Sequence, residues 1–114
     1  MTYDSTYRPR RCSSRWLDAD CPKGVLCIMD HPAFADRYTI FYTDVIPDSY
    51  GFPRLCYRAA SAAPFHPQGV GILGEMEAHK VAAYRYSQKH RYAKWSSLPE
   101  DVKHLVRQDL EPES

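Results

Sequence analysis

Thiols and an imidazole gather in the first third of the chain, and their spacing is one that can hold a metal. Cys12, Cys21, Cys27 and His31 fall as C-x8-C-x5-C-x3-H within CSSRWLDADCPKGVLCIMDH. Four soft or borderline donors of this kind suit a tetrahedral zinc ion. VLCIMD, residues 25–30, points the other way, because it is short, apolar and β-prone. A strand sends Cys27 to one face of a sheet and does not curl around a metal. Cys27 is then a small buried hydrophobe, and Cys12 and Cys21 are loop thiols. The expectation is no metal and no other cofactor, with zinc on Cys12, Cys21, Cys27 and His31 as the alternative.

Three other constellations carry polar chemistry. PFHPQGVGILGE, residues 64–75, holds His66, Gln68 and Glu75 among two prolines and three glycines. It reads as a rigid Pro-x-Pro frame offering a polar contact, or as a long connection whose histidine caps a turn. Its glycines lack the lysine of a phosphate loop. A Cys56–His66 thiol–imidazole pair has no orienting third group, so no catalytic residue is assigned and a non-enzyme is expected. YRYSQKHRYAKW, residues 84–95, interleaves four cations with aromatics and contains no acid. Single-strand nucleic-acid surfaces have this composition, and so do edge strands protected from aggregation.

The elements that must position these residues are those of a small α+β domain. VLCIMD, RYTIFYTD (37–44) and RLCYRAA (54–60) read as three strands joined by short links, hence an antiparallel meander. RYAKW (91–95) reads as a fourth, edge strand. Residues 64–75 are expected to form no regular element, and residues 76–89 read equally as a short helix or a structured loop. The last element is a helix begun by a Ser97-x-x-Glu100 capping box. Leu98, Val102, Leu105, Val106 and Leu110 share one of its faces, and Pro112 stops it. The predicted architecture is a sheet of three to four strands packed by a C-terminal helix, with a long Gly/Pro loop. Residues 1–23, polar and broken by Pro9 and Pro22, read as an N-terminal arm, and residues 24–114 as one domain.

Composition agrees with a globular chain: 44% of residues are hydrophobic and 25% charged. A net charge of +1 exerts no global pull on nucleic acid or anionic membrane. The charge is nevertheless uneven: residues 1–16 and 84–95 are basic, residues 96–114 acidic. The amino terminus has no apolar signal core, and the longest apolar run falls far short of a membrane span. A cytoplasmic protein with reduced thiols is expected.

Two resemblances add to this reading. The Cys12–Cys21–Cys27–His31 spacing, with CPKGVLC in its middle, resembles CCCH zinc fingers, which bind single-stranded RNA. The chain departs from them in carrying Ile28-Met29-Asp30 where an aromatic usually precedes the histidine. Over residues 25–110 the chain is similar to a group of small bacteriophage-encoded proteins. That similarity rests on Asp36–Thr39, the Pro64–Glu75 loop and Leu98–Val102. It implies a phage accessory protein acting in the host cytoplasm. The expected function is binding and inhibition of a host protein or protein–nucleic-acid complex, such as a defence nuclease in the manner of an anti-CRISPR. The alternative is direct binding of RNA or single-stranded nucleic acid. The expected contact residues are His66, Gln68, Tyr84, Arg85, Tyr86, Arg91, Tyr92 and Trp95.

Overall fold

A computed structural model describes residues 9–111 of the chain. The first eight residues of the arm and Pro112 lie outside the described residues. Four strands, β1 (Val25–Asp30), β2 (Tyr38–Pro47), β3 (Pro53–Ala60) and β4 (Gly71–Glu77), form one sheet in the order β1-β2-β3-β4. Every neighbouring pair is antiparallel. Helix α1 (Ala78–Ser87) follows β4 directly. Two 3-10 turns, Lys89–Arg91 and Trp95–Ser97, then lead to helix α2 (Glu100–Leu110).

The sheet lies between the two helices because its central strands are apolar on both faces. Ile40 and Tyr42 pack with Val25, Ile28, Val102 and Val106 on the α2 side, while Phe41 packs with Leu26, Met29, Leu55 and Val81 on the α1 side. Alternation along an extended backbone produces that division. Between Val25 and Cys27 the register against β2 shifts by one residue. Such a bulge places successive residues on one face, and Leu26 and Cys27 both belong to the α1-side cluster. Residues 9–23 form no helix or strand, yet Leu17 and Cys21 are buried in the α2-side core.

The expected α+β architecture is present, with β1, β2 and β3 where VLCIMD, RYTIFYTD and RLCYRAA place them. Three local expectations are corrected. The fourth strand is Gly71–Glu77, not RYAKW, and residues 71–75 of the 64–75 stretch, expected to form no regular element, are therefore extended. Gly74 stands opposite Tyr57, and a Cβ there would lie 2.7 Å from the Tyr57 ring. The ring covers the bare glycine and supplies the packing that the strand lacks by itself. RYAKW touches the outer edge of β1 through a single Met29–Tyr92 bridge before turning away. The capping box is also not made. Ser97 sits in a 3-10 turn, where its hydroxyl donates to the Lys94 carbonyl at 2.7 Å, and α2 starts after Pro99 with no side-chain cap.

Candidate functional site

The outer edge of β1 is where the distant basic, aromatic and thiol residues meet. The Arg11 guanidinium donates to the carbonyls of Val25 (2.7 Å) and Pro22 (2.9 Å). The Cys12 amide donates to the Leu26 carbonyl at 3.0 Å. Together these bonds lay residues 10–12 beside the bulged start of β1. Farther along the same edge the Ala93 amide donates to the Ile28 carbonyl at 2.9 Å. Arg85 of α1 reaches into the gap between the two segments. Its Nε donates to the Tyr92 hydroxyl (3.0 Å), its Nη1 to the Arg10 carbonyl (2.7 Å) and its Nη2 to the Cys12 Sγ (3.6 Å). The planar fork of arginine suits such a three-way tie.

Cys12, whose amide is bonded to Leu26, packs against the buried cluster that contains the next residue, Cys27. Cys12 is drawn down to about 6, first by the Cys27 thiol that donates to it and then by the Arg85 charge, against its partial burial. Cys27 moves up, because its proton is held by Cys12 and because burial disfavours its anion. The other thiols differ. Burial pushes Cys21 up to about 11, and burial together with the charges of Glu75 and Asp44 raises Cys56.

The four donors of the proposed zinc set are not gathered. Cys21 belongs to the α2-side core and Cys27 to the α1-side cluster, while Cys12 lies at the sheet edge and packs against both. His31 is stacked on Phe34 at 5.3 Å, and its Nε2 is 3.1 Å from the Tyr84 hydroxyl. Among the described residues no three His, Cys, Asp or Glu side chains are arranged to hold a metal ion.

The expected contact residues divide. Tyr86 is 77% exposed, with Lys89 Nζ 5.2 Å from its ring centroid, and Arg91 is exposed. Tyr84, Arg85 and Tyr92 are half-buried and tied internally. Trp95 is a correction. It is 1% exposed, lies in the α2-side core, and has Lys103 Nζ and Arg107 Cζ 5.7 and 5.6 Å from its ring centroid. An aromatic flanked by cations in the sequence is here a core residue roofed by Lys103 and Arg107 of α2. His66 and Gln68 are exposed, but His66 Nδ1 accepts the Gln68 amide at 3.1 Å and so closes a turn. Their loop packs on the α2 side, where Phe65 meets His104 edge-on.

Two aromatic residues of the β2–β3 hairpin tip were not expected at a site. Asp48 Oδ1 accepts the amides of Tyr50 (2.8 Å) and Phe52 (3.0 Å), and Gly51 takes a positive φ of 84°. This Asx-type turn holds Tyr50, 80% exposed, and Phe52, 43% exposed, in a set geometry. The sequence signal was there: two large aromatics in PDSYGF, a segment otherwise built for a turn. A cleft of about 690 Å³ opens between this tip and the start of α1, lined by Tyr50, Phe52, Pro53, His79 and Ala82 among others. A second, of about 420 Å³, lies between α1 and the arm, with Arg10, Leu55, Arg85, Tyr86 and Lys89 in its walls. The clefts share Ala78 and Ala82, so small side chains on α1 separate them.

Comparison with protein-family models, curated proteins and solved structures finds no match. No helix of the described residues is long and apolar enough to cross a membrane.

Proposed function

We propose that the protein acts by binding a host protein rather than by catalysis, and that the surface it uses runs along α1 from Tyr50 and Phe52 to Tyr86 and Lys89. The observation that carries this reading is the exposure of Tyr50 and Tyr86, 80% and 77%, on either side of a floor made by Ala78 and Ala82. Tyrosine is among the side chains enriched at interface hot spots. The Asx-type turn holds Tyr50 and Phe52 in place before binding, which lowers the ordering cost. The cleft beside the arm contains Arg10, Arg85 and Lys89 and no acid. Its partner is therefore an apolar segment of a protein whose flank at that end is acidic. The similarity to phage proteins supports a host target, with inhibition of a defence nuclease complex as the outcome of binding.

Within residues 84–95, Trp95 is buried and Tyr84 and Tyr92 are half-buried and bonded internally, so the stretch offers no continuous stacking surface for bases, which weighs against the nucleic-acid reading. A photo-crosslinking amino acid placed at Tyr86 or at Tyr50 is expected to capture the same host protein, and one placed at exposed Phe34 is not. The captured protein, purified, is expected to bind Tyr86→Ala about 30-fold more weakly, the ~2 kcal/mol of an interface anchor. Equal capture from all three positions, or unchanged affinity for Tyr86→Ala, overturns the site. Oligonucleotide binding at low salt without any captured protein transfers the function to nucleic acid.

A further inference from the structure

The cluster at the β1 edge contains a chemistry that binding does not use. We propose that Cys12 and Cys27 form a two-electron redox pair: a small hydroperoxide oxidises Cys12, and Cys27 resolves the product into a disulfide that joins the arm to β1. Three geometric observations assign the roles. Cys12 is half-exposed and Cys27 is fully buried, so an oxidant from solvent meets Cys12 first. The Arg85 guanidinium, anchored by Tyr92 and the Arg10 carbonyl, sits 3.6 Å from the Cys12 sulfur. The Cys12 amide is bonded to the Leu26 carbonyl, the bulge turns Cys27 to the same side as Leu26, and Cys12 packs against the cluster that contains Cys27, so the two residues are neighbours across the β1 edge.

In the first step the Cys12 thiolate attacks the outer oxygen of the hydroperoxide. The S–O bond forms, the O–O bond breaks, and the alkoxide or hydroxide departs beside the Arg85 charge and takes a proton from water. In the second, the Cys27 sulfur attacks the Cys12 sulfenic acid. The S–S bond forms, the S–OH bond breaks, and the hydroxide leaves as water with the Cys27 proton. The two thiols together lose two electrons and the hydroperoxide gains them. The depressed Cys12 and the proton-holding Cys27 suit an attacking thiolate and a resolving thiol.

The test uses the full reduced chain, alkylated with iodoacetamide across pH 5–9 and separately treated with hydrogen peroxide and dimedone. At pH 7 a thiol near 6 is about nine-tenths thiolate, whereas one near 11 is ionised about once in ten thousand. The weaker nucleophilicity of the more acidic sulfur takes back about two decades, so Cys12 is expected to react on the order of 50-fold faster than Cys21. Peroxide is expected to yield a Cys12–Cys27 peptide pair by non-reducing mass spectrometry. Cys27→Ser or, should serine unfold the bulge, Cys27→Ala is expected to accumulate dimedone-trapped sulfenic acid on Cys12. Arg85→Gln is expected to move the midpoint of Cys12 alkylation upward, and Arg85→Lys to restore it in part. Dimedone labelling of Cys21 or Cys56 as fast as of Cys12 overturns the proposal. So does a bridge pairing either of those cysteines, or an alkylation midpoint that Arg85→Gln leaves unmoved.

Discussion

Asp109→Ala tests the largest energetic claim made about the α2 side of the fold. Asp109 sits on the last turn of α2 and accepts the Arg58 guanidinium through both carboxylate oxygens, with the Arg58 Nε–Oδ2 bond at 2.9 Å. The Tyr42 hydroxyl donates to the same carboxylate. The side chains of Arg58 and Asp109 are only 14% and 9% exposed, so the pair ties α2 to β2 and β3 where water screens it little. Removing the carboxylate strands a guanidinium and a phenol hydroxyl in the interior, a loss of about 3–5 kcal/mol. Against a total stability of about 5–15 kcal/mol this is a large fraction. For a chain of this length it corresponds to a fall of roughly 12–20 °C in melting temperature. Urea titrations followed by the fluorescence of Trp16 and Trp95 measure it directly. The triple variant Tyr42→Phe/Arg58→Met/Asp109→Leu removes the whole polar network and is expected to fall within about 2 kcal/mol of the parent, because well-packed apolar replacements avoid desolvation. A loss below about 1 kcal/mol for Asp109→Ala, the level of an exposed ion pair, would refute the reasoning.

Three further outcomes follow from the packing. Phe41→Ala, at a ring wedged between Tyr57 and Tyr84 with centroids 5.7 and 5.9 Å away, is expected to lower the urea-derived stability by about 3–5 kcal/mol. Gly69→Ala places a Cβ 2.2 Å from the Ala63 carbonyl oxygen and is expected to destabilise by about 1–3 kcal/mol. Gly71→Ala, with nothing nearer than 3.6 Å, is expected to match the parent or exceed it in the same titration. Burial and then the Asp109 bond raise the Tyr42 pKa, so the folded state keeps a proton that the unfolded chain loses above about pH 10. Stability is therefore retained below that pH and falls above it by up to about 1.4 kcal/mol per pH unit. Alkaline unfolding of Tyr42→Phe, followed by circular dichroism, is expected to show a shallower slope.

The strands of the meander were legible because their signals are local. β-branched and aromatic residues crowd 25–30 and 37–44, and Leu55 and Tyr57 alternate with Cys56 and Arg58, which on folding places Arg58 on the α2 side beside Asp109. The amphipathic face of α2 was equally plain, and Val102 and Val106 are buried as its period requires. β4 was not legible, since Gly71 and Gly74 weaken a strand until a neighbour supplies the packing, and that neighbour, Tyr57, lies on another strand. α1 carries no comparable signal, because its buried residues, Ala78 and Val81, form too narrow a stripe to declare a face.

By itself the sequence determined the meander, the apolar face of the last helix and the concentration of cations and aromatics in 84–95, because each depends on neighbours a few residues apart. Tertiary structure alone decided that Trp95 is core, that Tyr50 and Tyr86 stand at the rims of clefts on either side of Ala78 and Ala82, and that Arg85 meets Cys12 across 73 residues of chain. Those arrangements depend on which face each strand turns toward which helix. That choice is made by burying both sides of the sheet at once, and no short window of residues contains it.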